Sequence, residues 1–456
     1  MQRIEINNFG PIEHASVEVA PLTILIGQQA SGKSTIAKLI FFFKSLSEYF
    51  FTSYYNSPES RFNLQEDLIF PFRDKFYDMF GNTYDMPDFN IKYWFDNERH
   101  IDLSRNRKKR LEVTFSPYFF PKSDRASLIR CKSLLLQLKD NLGQTPIEEV
   151  AAESRRISLL QQMSEIINRI FCVTHNDALY ILAGRNATVG YNDVFESLLS
   201  ATIKQNLEDQ GKGAKRINGQ TIDETLMLQF MQRVSRMRQM FAKSGNFEGF
   251  ISIASKDRKI LLTKILHLID KILKGKYASS PEGEKILLNN KKFVYLRNAS
   301  SGQQESIRIL QDAFWTVYSG NKVLRIIEEP EAHLYPEAQM LLLEVLTIML
   351  NSSENNQMVV TTHSPYTLSV FNNLIYAGLV GQSNVDDVDR VVSRECWLNS
   401  NDIRAYILMD GRSSDIMDKD LKVIKAEMID MVSDVLNEQY DRLMDIECND
   451  KCDEAN

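Results

Sequence analysis

Cysteine is scarce. The 456 residues contain five, at Cys131, Cys172, Cys396, Cys448 and Cys452, and none stands at a metal-binding spacing with a histidine beside it. An odd, scattered set excludes a disulfide framework and fits a reducing cytosol. Cys448 and Cys452, four apart in an acidic stretch, read as free thiols rather than as a zinc site. The opening MQRIEINNFG has no basic-then-apolar leader pattern. The apolar cluster Leu39-Ile40-Phe41-Phe42-Phe43 is too short to cross a bilayer. The expectation is a cytoplasmic protein with no membrane contact. No strict heptad runs through the helical stretch from Ala126 to about Tyr277, which is too short and irregular for a long coiled-coil arm.

Positive charge is not in excess: the formal net charge is −6. Residues 401–456 hold 15 Asp/Glu against 7 Lys/Arg, so the remainder sums to about +2. The acidity belongs to one segment and leaves nucleic-acid binding by the body open. What remains is ordinary for a folded chain, 43% hydrophobic and 25% charged, with length for two or three domains.

Against this background one stretch stands out, Gly27-Gln28-Gln29-Ala30-Ser31-Gly32-Lys33-Ser34-Thr35. It fits the phosphate-binding pattern G-x-x-x-x-G-K-[ST] and has the context that pattern needs. A β-rich run, Leu22 to Ile26, precedes it, and Ile36, Leu39 and Ile40 after it fall on one helical face. Backbone N–H groups from Gly27 to Gly32 are expected to cradle phosphate at a helix N-terminus. Lys33 is placed to reach the β/γ oxygens of ATP and the Ser34 hydroxyl to ligate Mg2+. Upstream, Arg3–Ile6 and Ala15–Val19 alternate as an antiparallel pair around Phe9-Gly10-Pro11.

A second element, Val323-Leu324-Arg325-Ile326-Ile327-Glu328-Glu329-Pro330, is an apolar strand ending in two carboxylates, a Walker B arrangement. Glu328 is the candidate Mg2+ ligand and Glu329 the candidate general base on the attacking water. A third, Gln357 to Pro365, is a strand ending at His363, suited to contacting the γ-phosphate. Between them Ala299-Ser300-Ser301-Gly302-Gln303-Gln304-Glu305 opens an amphipathic helix. Ser301, Gly302 and Gln304 match the L-S-G-G-Q signature, whereas Ser300 and Gln303 do not. A hydroxyl and a glycine amide at a helix start can hold an anion, and they can equally be a cap.

These motifs, in this order, resemble the ABC-type ATPases of the RecF/SMC-like and OLD-like group. The form IEEPEAHLYP, with Glu328 where many ABC proteins carry Asp, is similar to the OLD-like ATPases of bacterial anti-phage defence, and Phe120-Pro121-Lys122-Ser123-Asp124-Arg125 resembles their I-P-A-x-R element. The resemblance covers roughly residues 1–125 and 285–375. It implies an α/β ABC-type P-loop head: an N-terminal antiparallel β lobe, a mainly parallel core sheet flanked by helices, and a helical insertion. It also implies ATP and Mg2+ as ligands and an ATP-linked homo-oligomer, in which Ser301 and Gly302 of one copy meet ATP held by another. Departures are the absence of a Q-loop glutamine near residues 115–130 and of an acidic metal-nuclease module after His363. Asp415, Asp418 and Asp420 follow no apolar strand and read as solvent charges. The arrangement is most similar to the Septu system ATPase, paired with a separate nuclease, with retron-associated and PARIS-type ATPases as rivals. A DNA-repair ATPase of the RecF kind is the alternative.

The expected divisions are 1–125 and 281–400 for the two halves of the head, 126–280 for the helical insertion, and 401–456 for an acidic helical segment. Strands are expected at Asn90–Phe95, His100–Leu103 and Leu111–Phe115. The basic turn Arg105–Arg110 between the last two is either a phosphate grip or a solvated tip. A hairpin turning at Asn289-Asn290 leads into the signature helix, and Leu421–Leu443 is expected to be a packing or partner-binding helix.

Overall fold

The alternation noted near the N-terminus is the pleat of a hairpin. β1 (Gln2–Phe9) and β2 (Ile12–Val19) pair antiparallel with Ile4 opposite Val17 and Ile6 opposite Ala15. All four side chains are buried while their neighbours face solvent or the rim, the burial pattern of a half-buried strand. β3 (Leu22–Gly27) does not alternate, because both of its faces are covered. β4 (Asn90–Trp94), β5 (His100–Arg105) and β6 (Leu111–Phe115) follow β1 as an antiparallel meander. The computed structural model describes residues 2–58, 61–140, 146–190, 222–280, 283–288, 292–425 and 438–444.

Later strands are β7 (Asp177–Ile181), β8 (Lys276–Ser280), β9 (Gly283–Leu287), β10 (Phe293–Tyr295), β11 (Val323–Glu328), β12 (Gln357–Thr362), β13 (Ile403–Met409) and β14 (Arg412–Asp415). Eleven of them form one mixed sheet in the order β6-β5-β4-β1-β2-β14-β13-β3-β12-β11-β7, and β8 to β10 form a separate three-stranded sheet. The block β13-β3-β12-β11-β7 is parallel throughout. Its register sets Glu328 beside Thr361, Thr361 beside Leu25 and Ile327 beside Ile181, so the motif-bearing strand ends share one edge. Ligands of open α/β sheets bind beyond the carboxyl ends of the strands, and that edge is where all three motifs lie.

Two apolar layers cover the sheet. On one side the helix Lys33–Lys44 is buried almost all round, since it is wedged between the sheet and the helices Leu46–Asn56 and Phe70–Phe80. Phe42 meets Phe72 and Phe76 edge-on at 5.0 and 5.7 Å. Each such ring contributes about 1.5–3 kcal/mol by leaving water. On the other side the helices Lys256–Leu273, Ser301–Ser319, Pro336–Asn351 and Pro365–Val380 cover β3, β12 and β11. A buried charge network pins this layer: Arg325 of β11 lies 2.5 Å from Asp312 and 2.8 Å from Asp177, and Arg233 bridges the same two acids.

The architecture is the expected α/β head, with two corrections. Residues 126–280 are not purely helical: β7 lies among them and is the edge strand beside β11. Residues 401–456 are not simply a helical segment, because β13 and β14 complete the large sheet and β13 pairs with β3. Ile403, Ala405 and Leu408 are buried. That seven-residue run was hidden by the acidity of the segment around it. Most of Leu421–Leu443, the Asn289-Asn290 turn, Cys448 and Cys452 lie outside the described residues. Among those described, no helix is long and apolar enough to cross a membrane.

Candidate functional site

The loop after β3 is shaped by conformations that few residues tolerate. Gly32 caps the following helix at φ 100°, and a Cβ there would come within 2.8 Å of Ile12. Gln28, Gln29 and Ala30 are exposed, Ser31, Ser34 and Thr35 half-buried. Lys33 folds back over the loop, and its ammonium donates to the carbonyls of Gly27 at 2.9 Å and Gln28 at 2.7 Å. Burial holds its pKa below the usual lysine range, opposed by Glu329, Glu331 and Glu328. The loop lysine therefore feels all three carboxylates at the end of β11 and just beyond it.

Those carboxylates are held differently. Glu328 is buried, accepting from the Tyr180 hydroxyl at 2.6 Å and from the Ala183 N–H at 3.2 Å. Glu329 turns outward in a left-handed conformation at φ 44°, and its Oε1 lies 2.9 Å from Nε2 of His363. Non-glycine residues held in the left-handed region cluster at functional sites. Glu331 is buried and takes the hydroxyl proton of Thr362 as a hydrogen bond; burial raises its pKa. The Thr362 oxygen also accepts from the N–H of Ser364 at 2.9 Å, which locks the turn carrying His363.

A residue that sequence reasoning missed organises this turn. Arg185 is fully buried, and its guanidinium donates to the carbonyls of Glu328 and Glu329 at 2.8 Å each and to Leu182 at 3.0 Å. Its Nε donates to the carbonyl of Glu305 at 3.1 Å and lies 3.3 Å from the Glu305 carboxylate. Five donors in a rigid fork suit such a multi-carbonyl grip. Arg185 thus ties the carboxylate turn to the first turn of the helix Ser301–Ser319. The only sequence signal was the run Tyr180-Ile181-Leu182-Ala183-Gly184-Arg185 at the exit of β7. The stretch Phe120–Arg125 lies elsewhere: Phe120 packs on Phe62 and Phe119, Arg125 sits over the Phe62 ring, and Asp124 pairs with Arg169.

The candidate signature residues occupy the start of their helix. Ser300 and Gln303, the two that depart from L-S-G-G-Q, form a reciprocal capping box. Gln304 turns back to the carbonyls of Ala299 and Arg297 at 2.9 and 3.2 Å. Gly302 packs against the backbone after the carboxylate strand, where a Cβ would fall 2.6 Å from the His333 carbonyl. Ser301 is exposed. The structure therefore brings Lys33, Glu328, Glu329 and His363 to one edge, and turns Ser301 outward with its neighbours engaged in capping. In the basic turn, Arg105 pairs with Asp88 at 2.7 Å and Lys109 lies over Tyr84, while Arg107, Lys108 and Arg110 are exposed.

Residues 1–368 match the family model described as an AAA ATPase domain. No curated protein matches the chain. Among solved structures it is similar to the SMC head bound to the C-winged helix domain of ScpA, with 12% identity and a TM-score of 0.39 over 91% of this chain and 96% of that one. It is similar to the SMC head domain from Thermotoga maritima, with 9% identity and a TM-score of 0.34 over 91% and 97%. It is also similar to the recombination mediator protein RecF-ATPrS in the RecFOR pathway, with 12% identity and a TM-score of 0.31 over 91% and 97%.

Proposed function

The chain belongs to the AAA ATPase domain family, and from that premise we propose that it is an ATP-hydrolysing clamp whose closed form controls a separate effector. The observation that carries the hydrolytic part is the 2.9 Å contact between Glu329 and His363, beside a loop lysine that feels Glu328, Glu329 and Glu331. A carboxylate held outward by an imidazole is placed to take a proton, whereas its buried neighbour is not.

In this reading the loop Gly27-Gln28-Gln29-Ala30-Ser31-Gly32-Lys33-Ser34-Thr35 wraps the phosphates of ATP. Lys33 exchanges the carbonyls of Gly27 and Gln28 for phosphate oxygens. The Ser34 hydroxyl and the Glu328 carboxylate are hard oxygen donors, and Ser31 carries a buried hydroxyl without a hydrogen-bond partner, so the donor set fits Mg2+ and phosphate. Mg2+ held by Ser34 and Glu328 would supply charge neutralisation on the phosphates. Glu329 accepts the proton of the water that attacks the γ-phosphorus as the bond to ADP breaks. His363 holds Glu329 in place and meets the γ-phosphate. Ser301 and Gly302 of a second copy complete the site, with Gln304 bracing their helix start. ATP then closes two copies, and hydrolysis releases them.

The effector is proposed to be a separate nuclease chain acting in anti-phage defence, a reading supported by the resemblance of IEEPEAHLYP to OLD-like ATPases. The test is ATP turnover of wild type against Glu329→Gln, with particle mass measured with and without ATP. Turnover in the wild type and a stalled, ATP-bound assembly in the variant support the clamp. Equal inactivity, with mass indifferent to ATP, sinks it.

A further inference from the structure

A second polar site lies at the opposite end of the helix that begins at Lys33. Lys44 is the last residue of that helix and is 1% exposed. Its ammonium donates to the Gln357 side-chain oxygen at 2.5 Å, and among the described residues no carboxylate pairs with it. Burying an ammonium without a counter-charge is costly, and proteins ordinarily supply a partner. His175 lies nearby, 7% exposed, with its Nδ1 buried and lacking any hydrogen-bond partner. Both line a cavity of about 230 Å³, together with Ser47, Asn168, Asn176 and, at the mouth, the exposed carboxylate of Glu48. Ser45 lines it too; its hydroxyl accepts from the Lys75 ammonium at 2.7 Å and donates to the Phe42 carbonyl at 3.0 Å.

We propose that this cavity binds a small oxyanion of the hydrogen-phosphate type, with Lys44 supplying the charge and His175 a hydrogen bond. The chemistry points to that class for three reasons. The lining offers a buried amine that no carboxylate pairs with, and a bound anion would hold it protonated. Hydroxyl and amide groups around it can donate to several oxygens of one ion. His175 is a neutral imidazole, its pKa pushed down to about 3 by burial, so it can pair with the P–OH of hydrogen phosphate, a donor that sulfate lacks. The volume falls below the roughly 300–1,000 Å³ usual for drug-sized ligands, which favours a free ion. The site is separate from the phosphate loop, since Lys44 and Lys33 stand at opposite ends of one helix.

The test is equilibrium dialysis of the full chain with radiolabelled inorganic phosphate. The phosphate loop is a competing site, so the comparison runs wild type, Lys33→Ala, Lys44→Met and the double variant. The proposal expects Lys33→Ala to keep one equivalent of bound phosphate and the added Lys44→Met to remove it. His175→Phe on the Lys33→Ala background should weaken that binding by about tenfold, and this variant serves if Lys44→Met fails to fold. Sulfate should compete less well than phosphate. The proposal is overturned if Lys33→Ala alone removes all phosphate binding, or if, on the Lys33→Ala background, the folded Lys44→Met or His175→Phe protein binds as tightly as Lys33→Ala itself.

Discussion

Nε2 of His363 lies 2.9 Å from Oε1 of Glu329, although the two residues arrive on different strands, β12 and β11. The contact gives each a distinct consequence when removed. Glu329→Gln keeps the shape and loses the proton acceptor, so turnover should fall by about 10²- to 10⁴-fold. His363→Ala leaves the acceptor but frees it to rotate, so turnover should fall about tenfold or more while nucleotide affinity changes little. Phosphate release under saturating ATP, beside nucleotide binding measured directly, separates the two. Equal turnover in wild type and His363→Ala would remove His363 from the site.

Arg185 should act through the backbone rather than on ATP. Arg185→Met leaves the Glu305 carboxylate buried with its ion-pair partner gone, at a cost of about 3–5 kcal/mol. The double variant Arg185→Met with Glu305→Met removes both charges and should recover much of that stability. It should not recover turnover, because the carbonyls of Glu328 and Glu329 still lack their donor. Chemical denaturation and ATPase assays on Arg185→Met, Glu305→Met and the double variant, beside wild type, form the cycle. Recovery of turnover in the double variant would show that Arg185 only balances charge.

The motif chemistry was legible in sequence because each motif is contiguous. Lys33, Glu328, Glu329 and His363 stand in short strings whose order carries the meaning, and the parallel register of β3, β12 and β11 brings their ends together. Arg185 and Tyr180 were not legible. They touch Glu328 and its turn across more than 140 residues of chain, and the five-residue strand that carries Tyr180, with Arg185 just past its end, sits in a stretch dominated by helical spacing. β13 was missed for a related reason, since charge counted over 401–456 says nothing of a short apolar run within it. Ser300 and Gln303 were set aside as mismatches to a signature, and the structure shows their role as the helix cap.

That cap allows a clean separation of stability from assembly. Ser300→Ala removes the capping box and should cost about 0.5–2 kcal/mol, seen as a lower denaturation midpoint. Ser301→Ala removes an exposed hydroxyl with no part in the box and should leave the midpoint unchanged. If Ser301 meets ATP on a second copy, its loss should abolish the ATP-dependent mass increase of the Glu329→Gln protein. Mass photometry with and without ATP is the readout. Persistence of the assembly in the Ser301→Ala, Glu329→Gln double variant would reassign this helix start to capping alone.

Lys44 gives a prediction about pH. Burial depresses its pKa to about 7 in the folded chain, against an ordinary value of 10.5. Below pH 7 the amine is protonated in both states, and the folded chain bears the full penalty of a buried charge. Between about 7 and 10.5 the unfolded chain binds one more proton than the folded one, so this group makes stability rise with pH across that window. Lys44→Met has no such penalty at any pH. In phosphate-free buffer the variant should therefore be more stable than wild type at pH 6.5, and the difference should shrink toward pH 9. Urea denaturation at the two pH values measures it. A stability difference that does not change with pH would mean that Lys44 keeps its ordinary pKa, or that an anion already compensates it.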